Sequence, residues 1–227
     1  MISKEIKGIC FDAYGTLFDI SSIDEALEQV CGAQARQVGE LWRRKQVEYT
    51  WLRTLMGRYA DFYEVTKDAL RYALLATGAA LSPEAELGLM QAYYRIKTHP
   101  EVSEALSRLH GRYRLAILSN ANPSMLERAV AHNDLEDYFE DLISADELQL
   151  YKPSPAIYQL PERKWGQASW NFLFVSSNTW DVAGAAACGL QVAWVKRGPA
   201  IPEQLGLYPE LTVNDLLELA ERLEHEG

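Results

Sequence analysis

Apolar residues along this chain follow two rhythms. Between about Ile20 and Lys97 they recur at helical spacing, with almost no two-residue alternation. Before and after that stretch they form short runs bounded by turn or helix signals: Gly8-Ile9-Cys10-Phe11-Asp12, Arg114 to Ser119, Leu142-Ile143-Ser144, Asn171 to Ser176 and Gln191 to Val195. Runs of this length predict buried strands. The helical stretch predicts one helix through Leu41 to Leu52 and another over Asp61 to Thr77, ended by Gly78. A third opens at Ser82-Pro83-Glu84, an N-cap followed by proline at the first helical position. Beyond Pro100, Asn122-Pro123 starts a helix, another spans about Val182 to Cys188, and the last runs from about Asn214 to Glu224. Strands alternating with helices imply a parallel sheet covered on both faces. The expected fold class is therefore α/β, a Rossmann-like parallel sheet core with an inserted helical cap domain. Residues 1–17 and 98–227 would form the core and 18–97 the cap. The cap would lie over the carboxyl edge of the sheet, where open α/β folds hold their ligands. No internal repeat, low-complexity segment or proline-rich linker breaks this plan.

Composition narrows the function classes. The 227 residues are 48% hydrophobic and 24% charged, ordinary for a globular protein. The formal charge of −10 disfavours nucleic acid or an anionic membrane as partner, since both need a basic surface. A small anion remains acceptable, because a few local cations overcome a distant acidic surface. The three cysteines, Cys10, Cys31 and Cys188, have no motif spacing and read as packing residues in a reducing compartment. The start, Met1 to Lys7, has charge but no apolar signal core, and no apolar run reaches the length of a membrane span. A cytoplasmic protein is expected.

The strand ends supply the candidate chemistry. Asp12 ends the first strand before a Gly-Thr turn, Ser119-Asn120 ends the second, and Ser176-Ser177-Asn178 ends a later one, with Asp181 three residues on. Lys152 follows the short apolar piece Leu148 to Tyr151. Singly, each has an ordinary explanation: a turn-forming aspartate, a capping Ser-Asn, a solvated lysine, an acid favouring a helix dipole. Jointly, their placement at strand carboxyl ends in separate βα units points to one site. Arg43 and Val47, four apart, share a helix face in the insertion.

These segments resemble a known family. Asp12 to Asp19 (DAYGTLFD), Leu41-Trp42-Arg43, Leu118-Ser119-Asn120, Tyr151-Lys152-Pro153 and Phe174 to Asp181 are similar to the ordered motifs of (S)-2-haloacid dehalogenases, in the haloacid dehalogenase superfamily. The first motif alone identifies the superfamily, whose other members are mostly phosphatases. The second and last point to the dehalogenase branch. The resemblance implies that Asp12 attacks the halogen-bearing carbon and forms an ester, with Thr16 orienting its carboxylate and Lys152 keeping it ionised. Ser119, with the backbone N–H groups of Ala13 and Tyr14, would hold the substrate carboxylate beside Asn120. Arg43, Asn178 and Trp180 would cradle the halide. Asp181, with Ser176 and Asn178, would position the hydrolytic water. Tyr158 matches a further active-site position of underived role. Val47, Phe62, Tyr14 and Trp180 would line a dry pocket, or simply pack. Arg44 stands where the family leads one to expect an uncharged amide.

Position 14 separates two chemistries. Phosphoryl-transfer relatives carry an acid two residues after the nucleophile, because an alkoxide leaving group needs a proton. A halide needs only donors and positive charge, and this chain has Tyr14. Ser177-Asn178 stands where a metal-holding acid pair would begin, so no metal or other cofactor is expected. The partners implied are a short halogenated carboxylic acid and the halide product, with a homodimer plausible from the aromatic insertion. A superfamily phosphatase with altered motifs, or a silent carboxylate-binding module, stays open as a rival.

Overall fold

The computed structural model describes residues 6–226. Most of the charged start, Met1 to Glu5, lies outside the described residues, as does the beginning of the expected 1–17 segment. Strands β1 (Gly8–Phe11), β2 (Arg114–Ser119), β3 (Asp141–Ser144), β4 (Phe172–Ser176), β5 (Gln191–Val195) and β6 (Leu211–Val213) form one six-stranded sheet in the order β3-β2-β1-β4-β5-β6. Every pairing is parallel. β1 and β4 are buried along their whole length, which is why their sequences are continuous apolar runs without alternation. β6 was not expected: its three residues include one exposed threonine and are too short to show a pattern.

The chain winds from β1 outward to β2 and β3, then returns to β4 on the other side of β1. That reversal opens a crevice at the carboxyl ends of the central strands. Asp12 stands at its mouth, with its N–H donating to the Val175 carbonyl at 2.8 Å. Helices α5 (Val102–Leu109), α6 (Pro123–His132), α7 (Pro155–Tyr158), α8 (Leu160–Trp165), α9 (Thr179–Ala187) and α10 (Leu216–Glu226) belong to this part of the chain. α5 was also not expected, although its buried Val102, Ala105, Leu106 and Leu109 carry a plain helical spacing.

Between β1 and β2 the insertion is wholly helical: α1 (Ser21–Cys31), α2 (Ala35–Met56), α3 (Phe62–Thr77) and α4 (Pro83–Ala92). Asp61 caps α3 by accepting the Glu64 N–H, and Gly78 ends it, as the sequence implied. Ser82 caps α4, with Pro83 at its first position. α2 packs on α3 through Trp42, which is fully buried and donates its indole N–H to the Thr66 carbonyl at 2.8 Å. The two crossings into the insertion are tied together. Asp19 N–H donates to the Lys97 carbonyl at 2.7 Å and His99 N–H to the Leu17 carbonyl at 3.0 Å, around an antiparallel bridge between Phe18 and Thr98. On another edge, the Tyr59 hydroxyl donates to Asp146, and Tyr151 both donates its hydroxyl to the Ala60 carbonyl and its N–H to Thr54.

All three cysteines are free, and burial pushes the Cys10 thiol up to about 12. No helix among the described residues is long and apolar enough to cross a membrane.

Trp42→Ala should destabilise the fold by about 3–5 kcal/mol, since it empties a large core volume and removes the indole hydrogen bond to the Thr66 carbonyl. Denaturant unfolding followed by circular dichroism measures this. A loss below about 1 kcal/mol would mean that the α2–α3 contact does not depend on Trp42.

Candidate active site

The site has a charged floor and a mostly apolar chamber above it. The floor is the group Asp12, Lys152 and Asp181. The Lys152 ammonium donates to Asp12 Oδ1 at 3.1 Å and to Asp181 Oδ2 at 2.8 Å. Lys152 is 1% exposed and Asp181 0%. Burial alone would pull the ammonium down, but the two facing carboxylates hold it above its ordinary value. Burial raises Asp181 to about 6; Lys152 opposes that rise and Asp12 adds to it.

The two Asp12 oxygens have unequal surroundings. Oδ2 accepts from Asn178 Nδ2 at 2.8 Å and Thr16 Oγ1 at 3.0 Å, with Ser176 Oγ at 3.3 Å. Oδ1 meets only the lysine among the described residues. Thr16 is itself fixed, because its oxygen accepts the Ser177 N–H at 2.9 Å and its proton is left for the carboxylate. Ser176 accepts the Asn178 N–H at 3.1 Å and lies 3.2 Å from Asp181 Oδ2, so its single proton serves one carboxylate or the other.

Tyr158, whose role the sequence did not supply, donates its hydroxyl to Asp181 Oδ1 at 2.6 Å. This contact depends on α9 coming very close. A Cβ on Gly184 would lie 2.6 Å from the Tyr158 oxygen and 2.7 Å from Pro153 Cβ, so only glycine permits the approach.

Above the floor is a cavity of about 140 Å³ lined by Asp12, Tyr14, Arg43, Val47, Phe62, Ser119, Asn120, Asn178 and Trp180, all expected at the site. Ile20, Ile23, Gln46, Thr50 and Tyr93 line it too and were not anticipated. Gln46 and Thr50 stand three and seven positions past Arg43 in α2, a helix-face spacing that could have found them. Thr16, Lys152, Tyr158, Ser176 and Asp181 do not line the cavity; they form the network behind Asp12. The Ala13 side chain is core, and neither its N–H nor that of Tyr14 is spent on another group among the described residues.

One expectation needs correction. Lys152 is not at a strand end: it comes from a loop after the 3₁₀ turn Ala145–Leu148 and is held by its N–H donating to Asn120 Oδ1 at 2.8 Å. The Asn178 amide donates to Asp12 Oδ2 at 2.8 Å and lies 3.4 Å from the Tyr14 carbonyl. Arg44 is exposed and does not line the cavity, so it adds no second cation there. Arg43 does line it and pairs with the Asp24 carboxylate.

Tyr14 packs among Phe18, Phe62 and Tyr93, with its hydroxyl near the Tyr93 carbonyl at 3.4 Å. Burial, and then Tyr93, push its phenol well above the usual range. Position 14 therefore carries no carboxylic acid for a leaving alkoxide, only a weakly acidic phenol turned towards the Tyr93 carbonyl. A lysine sits between the two floor carboxylates, where a hard cation would need oxygen ligands. No group of three or more His, Cys, Asp or Glu side chains among the described residues could hold a metal ion.

This combination of Asp12 turn, buried lysine and helical insertion has known counterparts. Residues 6–189 match the family described as haloacid dehalogenase-like hydrolase. The chain belongs to that family. It is 40% identical over 220 residues to an (S)-2-haloacid dehalogenase of Pseudomonas sp. (strain YL), covering 96% of this chain and 95% of that one. It is 42% identical over 211 residues to haloacetate dehalogenase H-2 of Moraxella sp. (strain B), covering 92% and 94%. Among solved structures, that of L-2-haloacid dehalogenase from Xanthobacter autotrophicus with chloropropionic acid covalently bound superposes with a TM-score of 0.92 at 36% identity, covering 98% of this chain and all of that one. The six-stranded parallel sheet with its helical insertion is thus the fold of these hydrolases.

The raised carboxyl of Asp181 gives this family member a measurable titration. Asp181 should be a neutral acid below about pH 6 and a carboxylate above it. Tyr158→Phe removes a donor that favours the charged form, so the midpoint should move to higher pH. Carboxyl bands in infrared pH titrations, assigned with Asp181→Asn, read it directly. A midpoint that stays put or moves down would contradict the hydrogen-bond account.

Proposed function

We propose that this chain is a cofactor-free hydrolase converting short (S)-2-haloalkanoates to (R)-2-hydroxyalkanoates and halide. The observation that carries the reading is the asymmetry of Asp12. One oxygen accepts from neutral donors, the other, among the described residues, meets only an ammonium, and the carboxylate opens into a small cavity whose wall carries Arg43. Oδ1 is then the attacking oxygen, because Oδ2 is held by Asn178 and Thr16, with Ser176 shared with Asp181. It displaces halide from C2 with inversion and forms an aspartyl ester. Water next attacks the ester carbonyl carbon of Asp12, which leaves C2 untouched.

In this reading Arg43 and Trp180 receive the departing halide, and Ser119 with the Ala13 and Tyr14 N–H groups holds the substrate carboxylate beside Asn120. Asn178 and Thr16 orient the nucleophile. Asp181, steadied by Tyr158 and Lys152, draws the proton from the hydrolytic water through Ser176. Val47 and Phe62 keep the chamber dry. The covalently bound chloropropionic acid of the Xanthobacter relative supports the ester step. The same reading takes 18–97 as the cap and 1–17 with 98–227 as the core, supported by the bridge between Phe18 and Thr98. It places the enzyme in the cytoplasm, supported by three free cysteines. It also makes the enzyme a homodimer, supported by the exposed apolar Leu52, Leu55 and Met56 on α2 and Tyr72 and Leu75 on α3. Equilibrium sedimentation would test the dimer.

Asp12→Asn should abolish halide release from 2-chloropropionate while leaving the fold intact, because an amide is no anionic nucleophile. A single wild-type turnover in ¹⁸O-water should place the label in Asp12, read by peptide mass spectrometry. Label appearing first in the hydroxy acid would mean direct attack by water and would sink the ester mechanism. Exhaustive chelation should leave the rate unchanged. Loss on chelation with recovery on Mg²⁺ would revive the phosphatase rival, and binding without turnover the silent module.

Arg43→Lys should slow ester formation by about 10²–10³, or roughly 3–4 kcal/mol, with little change in substrate affinity. Rapid-quench kinetics separate the steps. A variant with wild-type ester formation but weak substrate binding would assign Arg43 to the carboxylate instead.

A further inference from the structure

Arg43 stands at a boundary. One side of it faces the inner cavity with Asp12, Asn178 and Trp180; the other faces an outer groove of about 300 Å³ lined by Asp24, Glu28, Ala35, Arg36 and Glu40. Its Nη1 donates to Asp24 Oδ1, from helix α1, and no other ion pair of Arg43 occurs among the described residues. Gly39, one turn before Arg43 and buried in the second turn of α2, lies beside this pair: a Cβ there would press on Leu27 Cδ2 at 3.1 Å and lie in ordinary contact with Asp24 Oδ1 at 3.4 Å and Arg43 Nη1 at 3.5 Å.

We propose that Asp24 is the counter-ion that competes with the halide for Arg43. Before reaction it orients the guanidinium at the cavity wall. After carbon–halogen cleavage it takes back part of the arginine's charge, so the halide is held less tightly and leaves sooner. A guanidinium is suited to this, because its planar fork serves a carboxylate on one edge and a second anion on another. Asp24 is a positioning residue: it acts only through Arg43. The proposal rests on the dehalogenase reading of the inner cavity.

The test is halide binding without substrate. Chloride and bromide are titrated into wild type and Asp24→Asn, with Trp fluorescence as the signal and gluconate holding ionic strength constant. The half-exposed pair has a modest strength, so the variant should bind halide about three- to fivefold more tightly. Bromide should inhibit its turnover of 2-bromopropionate more strongly by the same factor. Asp24→Glu should restore wild-type values. Asp24→Ser, which also removes the counter-charge, should shift halide affinity in the same direction as Asp24→Asn and serves if that variant folds poorly. A purely structural link between α1 and α2 would change melting temperature without tightening halide binding. Halide affinity unchanged or weaker in both variants, with wild-type turnover normal, would overturn the Asp24 assignment alone. A wild type that releases no halide from 2-chloropropionate would overturn the dehalogenase reading and this proposal with it.

Discussion

A single ammonium between two buried carboxylates holds this site together. Lys152 has almost no contact with water, so its charge is tolerable only because Asp12 and Asp181 lie 3.1 and 2.8 Å away. The dependence is mutual. Without the lysine, two buried acids would face each other, and one would take up a proton. Breaking such a buried pair costs about 3–5 kcal/mol, because a charge is left without a partner. The other polar contacts of the floor, from Tyr158, Thr16, Ser176 and Asn178, engage carboxylate oxygens that the lysine leaves free or reinforce those it touches.

The backbone brings these groups together by a different route for each. Asp12 and Ser176 are adjacent because parallel register sets β1 beside β4, and Ser119 ends the neighbouring β2. Lys152 comes in from a loop whose entry is the left-handed Gln149, with φ of 53°. Tyr158 reaches Asp181 only through the bare backbone at Gly184. The sheet therefore fixes half of the floor by hydrogen-bond register, and close packing between α7 and α9 fixes the rest.

This division explains what was legible in the sequence. An apolar run that stops at a polar residue is visible without a structure, so Asp12, Ser119 and Ser176 could be read as strand ends gathered at one edge. Arg43 and Val47 were readable as one helix face, and the same spacing extends to Gln46 and Thr50, which were passed over. Lys152 has no such periodic signal; its neighbours resemble a motif, but no pattern rule places a loop residue under a sheet edge. The Tyr158–Asp181 bond depends on an interhelical distance, and the Arg43–Asp24 pair on how α1 lies against α2. Neither is encoded in any local window. β6 escaped because three residues are too few for alternation to show.

The attachment of the insertion has a consequence for how this protein can diversify. It meets the sheet side at a short ribbon of Phe18 and Thr98, at the hydrogen bonds of Tyr59 to Asp146 and Tyr151 to Ala60 and Thr54, and at ring contacts of Trp51 with Trp180 and Phe62 with Tyr14 and Tyr151. The floor carboxylates and their lysine lie entirely on the sheet side. Apolar substitutions along the inner face of α2 can thus reshape the chamber around a ligand's side chain without touching the hydrogen bonds that hold Asp12. The apolar walls of the chamber and the charge pairing of its floor are carried by separate stretches of chain, with Arg43 the point where the insertion enters the chemistry.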